Sequence, residues 1–313
     1  MLVTSNSILD TSNPIVKYIF SCYTLFIIHN KIYPFPEESI MFDLNYLFDD
    51  KTGCELAATQ YALKVPSGEG YLLGILQRPH GDAEERHPLV LLCHGFPGNE
   101  QNRDLAAALR NAGACAAFFH YRGCWGSGGD YRLAHLPEDG MTMLQHILNN
   151  AEKYHVDPER VYLVGHSMGG FCVMNMLAQG TPVKGALLMA PCDMGDKYLN
   201  HRESFDKLVA NKTDYLRNGT AEAFTAECEA NAEAWLFPNL AKKIDPALPL
   251  CFIGGEKDAT TPVQYNIEPA LQVLRERGME PEYHLLPAGH SFDACRTRLI
   301  RQVADWIARQ EAK

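Results

Sequence analysis

The sequence lacks any concentration of positive charge. It has 28 lysines and arginines against 38 aspartates and glutamates, and its formal net charge of −10 is spread along all 313 residues. Nucleic acids and anionic membrane surfaces are bound by basic patches. The composition therefore argues against both as partners, and it places no constraint on a neutral small-molecule ligand.

The ten cysteines lack the spacings that hold metals. No pair is spaced as in a CxxC motif, and no cysteine–histidine cluster has the spacing of a zinc site. Cys93, Cys115 and Cys251 fall inside apolar runs, where a cysteine acts as a small buried hydrophobe. A disulfide framework is the weaker alternative for a chain of this length. The sequence thus predicts free thiols in a cytoplasmic protein, with no metal and no cofactor.

The first 40 residues lack a segment that would cross a membrane. Their apolar core at 19–28 is ten residues long, whereas a spanning helix needs about 20. A secretory signal has an early basic region and a small-residue cleavage site, and neither is clear here. Three interpretations stay open: an atypical signal or anchor, a docked extension, or sequence upstream of a true start at Met41. Membrane contact is expected only for an anchor. We predict an atypical extension over 1–40 and one domain over 41–313.

Beyond residue 60, strand-like and helix-like stretches alternate. Residues 60–65 and 71–78 predict an antiparallel hairpin. Further strands, several of them continuous apolar runs typical of burial on both faces, are predicted at 88–93, 115–120, 160–164, 183–189, 248–253 and 282–286. Helices are predicted at 102–111, 138–154, 168–179, 262–277 and 292–309. Such alternation predicts an α/β fold, a mostly parallel sheet with helices on both faces.

One stretch interrupts the alternation. From residue 192 to about 245 the strand signal disappears, and helices are expected at 204–216 and 220–235. We interpret this insertion as a helical lid over the carboxyl ends of the strands.

A serine occupies the turn between a predicted strand and a predicted helix. Residues 165–169 read GHSMG and match the G-x-S-x-G motif in the strand–turn–helix context that it requires. Side chains two residues either side of Ser167 would collide across so sharp a turn, which explains the glycines. The helix that follows directs its amides and its positive end toward developing negative charge. The pattern predicts Ser167 as a nucleophile.

A serine hydroxyl needs a base, and the base needs an acid that orients it. The motif predicts the chain order serine, acid, histidine, each in a loop after a strand. Asp258 follows the strand predicted at 248–253, and His290 follows the strand at 282–286, so both have the expected positions. By residue type the alternatives are Glu256 and Asp193 for the acid, and His120, His166 and His284 for the base.

Residues 94–99 (HGFPGN) directly follow the buried strand at 88–93. A glycine-bearing turn there lets a backbone amide face the serine. The predicted oxyanion donors are the amides of Phe96 and Met168, and one such donor is worth about 3 kcal/mol of transition-state stabilisation. A merely structural loop is the alternative. His94 is expected to support the loop rather than to transfer protons.

These motifs together resemble the α/β-hydrolase superfamily over about residues 60 to 310. They are HGFPGN at 94–99, YRGCWGSGG at 121–129, GHSMGG at 165–170, Asp258, and PAGHSF at 287–292. The first and third are similar to those of bacterial esterases that cleave hydroxycinnamate esters, and of the catalytic domain of prolyl oligopeptidase-like peptidases. The resemblance implies a Ser–Asp–His triad, oxyanion amides at Phe96 and Met168, and an insertion near 192–245 that forms part of the acyl or aromatic pocket in the esterases. Such peptidases usually carry an N-terminal β-propeller, which 60 residues cannot build.

Residues and resemblance together predict hydrolysis of a carboxylic ester through an acyl-enzyme on Ser167. The alternatives are a peptidase or amidase with the same triad, transfer of the acyl group to an alcohol or thiol, and a catalytically silent binding protein. Candidate pocket residues are His166, Tyr198, Phe205, Phe224 and Trp235. Aromatics at helical spacing also fit a lid packed against its own domain, and no lid motif indicates a feruloyl group.

Overall fold

The computed structural model describes residues 26–28, 31–33, 42–98, 102–210 and 213–313. The chain divides into two units, Met1–Ile40 and Met41–Lys313. In the first unit β1 (Phe26–Ile28) pairs antiparallel with β2 (Lys31–Tyr33). Most of the predicted extension, the candidate start Met41 and the last residue of the 94–99 motif lie outside the described residues.

An eight-stranded sheet forms the centre of the second unit. Its strands are β3 (Thr59–Ser67), β4 (Gly70–Arg78), β5 (His87–Cys93), β6 (Cys115–His120), β7 (Val156–His166), β8 (Gly185–Met189), β9 (Leu250–Gly255) and β10 (Glu282–Leu286). Their order across the sheet is β10-β9-β8-β7-β5-β6-β4-β3. From β10 to β6 neighbouring strands run parallel, whereas β4 pairs antiparallel with both β6 and β3. The predicted hairpin and mostly parallel sheet are confirmed.

Helices pack on both faces of this sheet. They are α1 (Arg103–Asn111), α2 (His135–Asn149), α3 (Ala151–Tyr154), α4 (Met168–Ala178), α5 (Met194–Asn200), α6 (Arg202–Ala210), α7 (Ala221–Trp235), α8 (Phe237–Ala241), α9 (Val263–Asn266), α10 (Glu268–Glu276) and α11 (Arg296–Glu311). Side chains alternate across a strand, and β5 accordingly sends Leu89 and Leu91 into one buried cluster and Val90 and Leu92 into another. The first cluster includes α2, α4 and α10, and the second includes α1 and α11. Burial on both faces explains the continuous apolar run of β5.

Two predicted helices are divided in the structure. The helix predicted over 138–154 stops at Asn149, and the short α3 follows it. The helix predicted over 262–277 is interrupted at Ile267, whose φ is −120° and ψ −53°. Pro269 explains this second break, because a proline in a helix interior has no N–H to donate and its ring clashes with the preceding turn. At the start of α10 the same proline is tolerated.

The insertion between β8 and β9 is helical over its described residues, as predicted. It contains α5 to α8 and a 3₁₀ turn at Thr213–Tyr215. The helix predicted at 204–216 begins earlier, at Arg202, and ends at Ala210. The lid is joined to the sheet domain by ring contacts, since Trp235 lies 5.2 Å from Phe171 of α4, centroid to centroid.

Within the described ranges, no helix has both the length and the apolar composition that crossing a membrane demands. Each cysteine of that same part of the chain is a free thiol.

His87 is a buried titratable group at the start of β5. Its ring is 1% exposed, and its Nδ1 atom lies 3.1 Å from the carbonyl oxygen of Gly113. Burial lowers the pKa of His87 from 6.5 to about 4, and the hydrogen bond to Gly113 opposes this shift without cancelling it. The folded protein therefore keeps His87 neutral at a pH where the unfolded chain protonates it.

Replacing His87 by glutamine should reduce the loss of unfolding free energy that occurs as the pH is lowered. The unfolded state takes up a proton near pH 6.5 and the folded state only near pH 4, so stability falls as the pH drops through this window. Between pH 7.5 and pH 5 this histidine should remove about 2 kcal/mol of unfolding free energy. Urea titrations at both pH values measure the effect. An equal drop in wild type and His87→Gln would show that another group is responsible.

Candidate active site

Ser167 lies on a strained turn between β7 and α4. Its backbone has φ +56° and ψ −117°, a conformation that side-chain-bearing residues rarely adopt. Gly169 allows the turn, because a Cβ atom there would lie 1.9 Å from the carbonyl oxygen of Cys93 at the end of β5. The turn therefore holds the serine close against the neighbouring strand.

The structure brings Ser167, His290 and Asp258 into one hydrogen-bonded line. The Oγ atom of Ser167 lies 2.9 Å from Nε2 of His290, and Nδ1 of His290 lies 2.8 Å from Oδ2 of Asp258. The three residues follow β7, β10 and β9, whose carboxyl ends share one edge of the sheet. With Asp258 as acceptor at Nδ1, the Nε2 atom of a neutral His290 is free of its proton and can accept the serine hydroxyl.

Asp258 is held as a carboxylate. The residue is 6% exposed, and such burial by itself would raise its pKa. Hydrogen bonds from His290 and Thr261 outweigh burial and lower the pKa of Asp258 to about 2. The charge that would stabilise an imidazolium is therefore present at any pH near neutrality.

Thr261 makes three contacts with this line. Its hydroxyl donates to Oδ2 of Asp258 at 2.7 Å and lies 3.2 Å from Nδ1 of His290, and its amide donates to Oδ1 of Asp258 at 2.9 Å. The hydroxyl is also 3.0 Å from the carbonyl oxygen of Ala190, the residue after β8. Thr261 is not predicted by the sequence, because a threonine three residues after an acid belongs to no recognisable motif.

The alternative acids lie elsewhere. Glu256 is exposed. Asp193 is buried, which raises its pKa to about 7. It accepts hydrogen bonds from the amides of Asp196 at 2.9 Å and Phe237 at 2.7 Å, so it joins the beginnings of α5 and α8. Asp193 thus organises the lid rather than the imidazole.

The alternative bases also have other partners. His120 packs with its ring centroid 5.5 Å from that of His94, and Nε2 of His284 lies 3.3 Å from Glu282. His166 is 1% exposed, and its Nε2 atom lies 3.0 Å from the carbonyl oxygen of His290. That contact supports the backbone of the His290 loop from the serine turn.

The loop after β5 lies beside the serine. A Cβ atom on Gly95 would come within 3.0 Å of Cβ of Ser167 and 3.5 Å of its Oγ. The backbone can approach this closely because residue 95 has no side chain. Phe96 follows it, and Met168 opens α4, where the first amides have no partner inside the helix. One candidate oxyanion donor therefore directly follows the serine, and the other directly follows the glycine that packs against it.

His94 is fixed beneath the same loop. It is 3% exposed, and its Nδ1 atom lies 2.7 Å from the carbonyl oxygen of Gly95. Burial lowers the pKa of His94 to about 3. A permanently neutral, buried imidazole bonded to its own loop fits the expected supporting role.

The candidate pocket residues lie mostly in the interior. Phe205 and Phe224 are at most 1% exposed, and Trp235 is 8% exposed. Phe224 packs 5.7 Å from Phe96, and Phe205 packs 5.1 Å from the half-buried Tyr198. Together with the buried His166, they form the packing of the lid and serine turn. Their assignment to a substrate pocket stays a prediction.

In the part of the chain that the structure describes, two groups of side chains have donors of the types that hold metals. They are His94, His120 and Cys124 beneath the loop after β5, and Cys251, Glu282 and His284 on β9 and β10. Within each group the donor atoms lie within 4.8 Å of one another. Burial raises the pKa of the Cys124 thiol, so a metal in the first group would have to displace a tightly held proton. Neither group lies in the line from Ser167 to Asp258, and a metal-free site stays a prediction.

Comparison with known proteins places the site in context. The sequence profile of a family described as "alpha/beta hydrolase fold" matches residues 88–245, just over half of the chain. An uncharacterized 31.7 kDa protein in the traX-finO intergenic region of Escherichia coli is 32% identical over 148 residues. This match covers 44% of the chain and 51% of that protein, so it spans about half of the relative's length.

Many solved structures share the architecture, among them a peptidase and an esterase. An acylaminoacyl peptidase from Pyrococcus horikoshii superposes with a TM-score of 0.60 and 18% identity, over 82% of this chain and 42% of the peptidase. A brefeldin A esterase, described as a bacterial homologue of human hormone sensitive lipase, gives 0.62 and 16%, over 83% and 81%. At these identities the likeness concerns the fold alone.

Removing the Thr261 hydroxyl should weaken activation of the serine. Thr261→Val keeps the shape but deletes a donor to the carboxylate, and we expect about a 10-fold slower labelling of Ser167 by a fluorophosphonate reagent. Thr261→Ser keeps the hydroxyl and should retain most of the rate. Thermal melting of both variants checks their folding. The positioning role of Thr261 is contradicted if Thr261→Val is labelled as fast as wild type, or if Thr261→Ser is labelled as slowly as Thr261→Val.

Proposed function

The chain belongs to the alpha/beta hydrolase fold family, and from that premise we propose that it hydrolyses carboxylic esters through an acyl-enzyme on Ser167. One observation carries the proposal. The unbroken line from Ser167 through His290 to Asp258, with contacts of 2.9 and 2.8 Å, is an arrangement that activates a hydroxyl for acyl transfer.

In the first step the hydroxyl of Ser167 attacks the ester carbonyl carbon. Nε2 of His290 accepts the hydroxyl proton as the new C–O bond forms. Asp258 accepts the hydrogen bond from Nδ1 and balances the positive charge of the imidazolium. Because Asp258 is buried and ionised, this stabilisation needs no rearrangement during the reaction.

The carbonyl oxygen becomes negative in the tetrahedral intermediate. We assign its stabilisation to the amides of Phe96, which follows the closely packed Gly95, and of Met168, which follows the serine. Met168 opens α4, so the positive end of the helix dipole adds to the amide's effect. Loss of one such donor costs about 3 kcal/mol.

The acyl-enzyme forms when the intermediate collapses. His290 returns its proton to the departing alkoxide, and the C–O bond to the alcohol breaks. Water then enters, His290 removes its proton, and attack on the acyl carbon releases the acid and restores Ser167. The same imidazole therefore serves as base and acid in both halves of the cycle.

Cleavage of an ester depends less on protonation of the leaving group than cleavage of an amide does. An alkoxide leaves with modest protonation, whereas an amine requires a well-placed general acid. The described contacts put one acid, His290, beside the serine. The similar structures include both an esterase and a peptidase, so amide cleavage is the second candidate.

Replacing Ser167 by alanine tests the nucleophile. The variant should show no fluorophosphonate labelling and lose at least 10³-fold in hydrolysis of p-nitrophenyl esters, because the attacking hydroxyl is gone. Ser204→Ala, a change in the lid, serves as the control and should label like wild type. Labelling that persists in Ser167→Ala would move the nucleophile to another serine and contradict the proposal.

A paired substrate series tests the bond that is cleaved. We expect kcat/KM to be larger for p-nitrophenyl acyl esters than for the matched anilides, and dipeptide anilides to be poor substrates. Ester and anilide with the same acyl group isolate the leaving group. Faster turnover of aminoacyl anilides would replace the esterase proposal with the peptidase one. Formation of acyl-alcohol or acyl-thiol product, when these acceptors are added, would indicate a transferase.

A further inference from the structure

Trp125 is unusual in both exposure and backbone. It lies in the loop after β6, 44% of its surface is exposed, and its φ is +47°. A bulky residue seldom adopts a positive φ, and such strain persists where surrounding contacts impose it. The contacts of Trp125 run to the loop that carries Phe96.

The indole holds the carbonyl of Pro97. Its Nε1–H donates to the Pro97 oxygen at 2.7 Å, and the thiol of Cys124 donates to the same oxygen at 3.1 Å. The ring also covers Gly98, where a Cβ atom would lie 2.7 Å from Cδ1 and Nε1 of the indole. Trp125 therefore fixes the chain directly after Phe96.

The distance from this contact to the candidate oxyanion donor is short. Pro97 directly follows Phe96, and only a few covalent bonds join the Pro97 carbonyl oxygen to the Phe96 amide nitrogen, so the indole nitrogen lies within about 10 Å of that amide. A rotation of the Pro97 peptide is transmitted to Phe96, because the bonds between them leave few torsions. Small displacements matter here, since a shift of about 1 Å in a catalytic group can cost 10²-fold in rate.

The lid also contacts Trp125. The Tyr215 ring is stacked on the indole, with centroids 6.1 Å apart and planes inclined by 12°. Beside the stack, Cys124 forms a β-bridge with Leu216, and the amide of Arg217 donates to the Gly123 carbonyl at 2.9 Å. The lid segment around Tyr215 thus docks on the same loop that holds Pro97.

We propose that Trp125 is a positioning residue for the oxyanion hole and that it couples the hole to the lid. With the lid docked, Tyr215 holds the indole, the indole holds the Pro97 carbonyl, and the carbonyl sets the direction of the Phe96 amide. This inference rests on the proposed function. Trp125 acts through Phe96 and contacts no reacting atom.

Four variants test separately the Tyr215–Trp125 stack and the hydrogen bond from Trp125 to Pro97. Trp125→Phe keeps a ring for Tyr215 but deletes the N–H donor, and Trp125→Ala removes both. Tyr215→Ala removes the stack, and Tyr215→Phe keeps it. Phe48→Ala is the matched control, because Phe48 is another aromatic of similar exposure, 46%, and contacts Arg301 instead of this loop.

The readout distinguishes transition-state from substrate binding. With p-nitrophenyl acetate we expect kcat to fall about 5-fold in Trp125→Phe and about 10-fold in Trp125→Ala, with KM within about 2-fold of wild type. Phenylboronic acid forms a tetrahedral adduct with the serine, and its inhibition constant should rise by the same factors as kcat falls. In Tyr215→Ala we expect kcat to fall about 3-fold, whereas Tyr215→Phe, which keeps the ring, should have the wild-type kcat.

Several outcomes would overturn the inference. Unchanged kcat and boronate affinity in Trp125→Phe would show that the indole hydrogen bond has no role in positioning the oxyanion hole. If Trp125→Ala does not fold, the result for Trp125→Phe alone tests the inference. A rise in KM alone would make Trp125 a substrate contact. Losses as large in Phe48→Ala would indicate a general effect on stability. Fluorophosphonate labelling of wild-type Ser167 is measured in parallel: normal labelling limits a failure to the Trp125 inference, whereas no labelling removes the proposed function and the inference with it.

Discussion

The hydrogen bond between Ser167 and His290 is the contact on which the candidate chemistry depends, and the parallel sheet makes it possible. The two residues are 123 positions apart in the chain, and their atoms are 2.9 Å apart. Parallel strands end at a common edge, so the loops after β7, β9 and β10 converge without long connections. Any change in the register of these strands would separate the serine from its base.

Close packing beneath the serine maintains that geometry. The strained φ of Ser167 is compatible with the fold because Gly95 and Gly169 let two backbone segments approach the turn. His166 links the turn to the His290 loop, and Thr261 links Asp258 to the end of β8. The turn at Ser167, the His290 loop and the Asp258 carboxylate are therefore each held by a contact with another segment, which is the preorganisation that the proposed acyl transfer would require.

The lid shares its supporting contacts with the site. Phe224 packs on Phe96, and Tyr215 packs on Trp125, so the side chain of the candidate oxyanion residue and the loop behind it both border the insertion. Asp193 ties the two ends of the lid together through α5 and α8. The interior position of the candidate pocket residues follows from this packing. Under the proposed function, access for a substrate would depend on the same contacts that order the loop of Phe96.

The sequence by itself determined the sheet, the hairpin and the helical insertion, and it placed Ser167, Asp258 and His290 in loops after strands, because these features depend on local periodicity and on chain order. It did not predict the breaks at Asn150 and Ile267 or the second contacts made by Thr261 and Trp125. Those features depend on which residues from distant segments are in contact. No sequence pattern around a threonine or tryptophan in a loop identifies the residue that it will contact. Only the tertiary structure decided which histidine faces the hydroxyl and which pack in the interior, since the difference lies in burial and direction rather than in residue type.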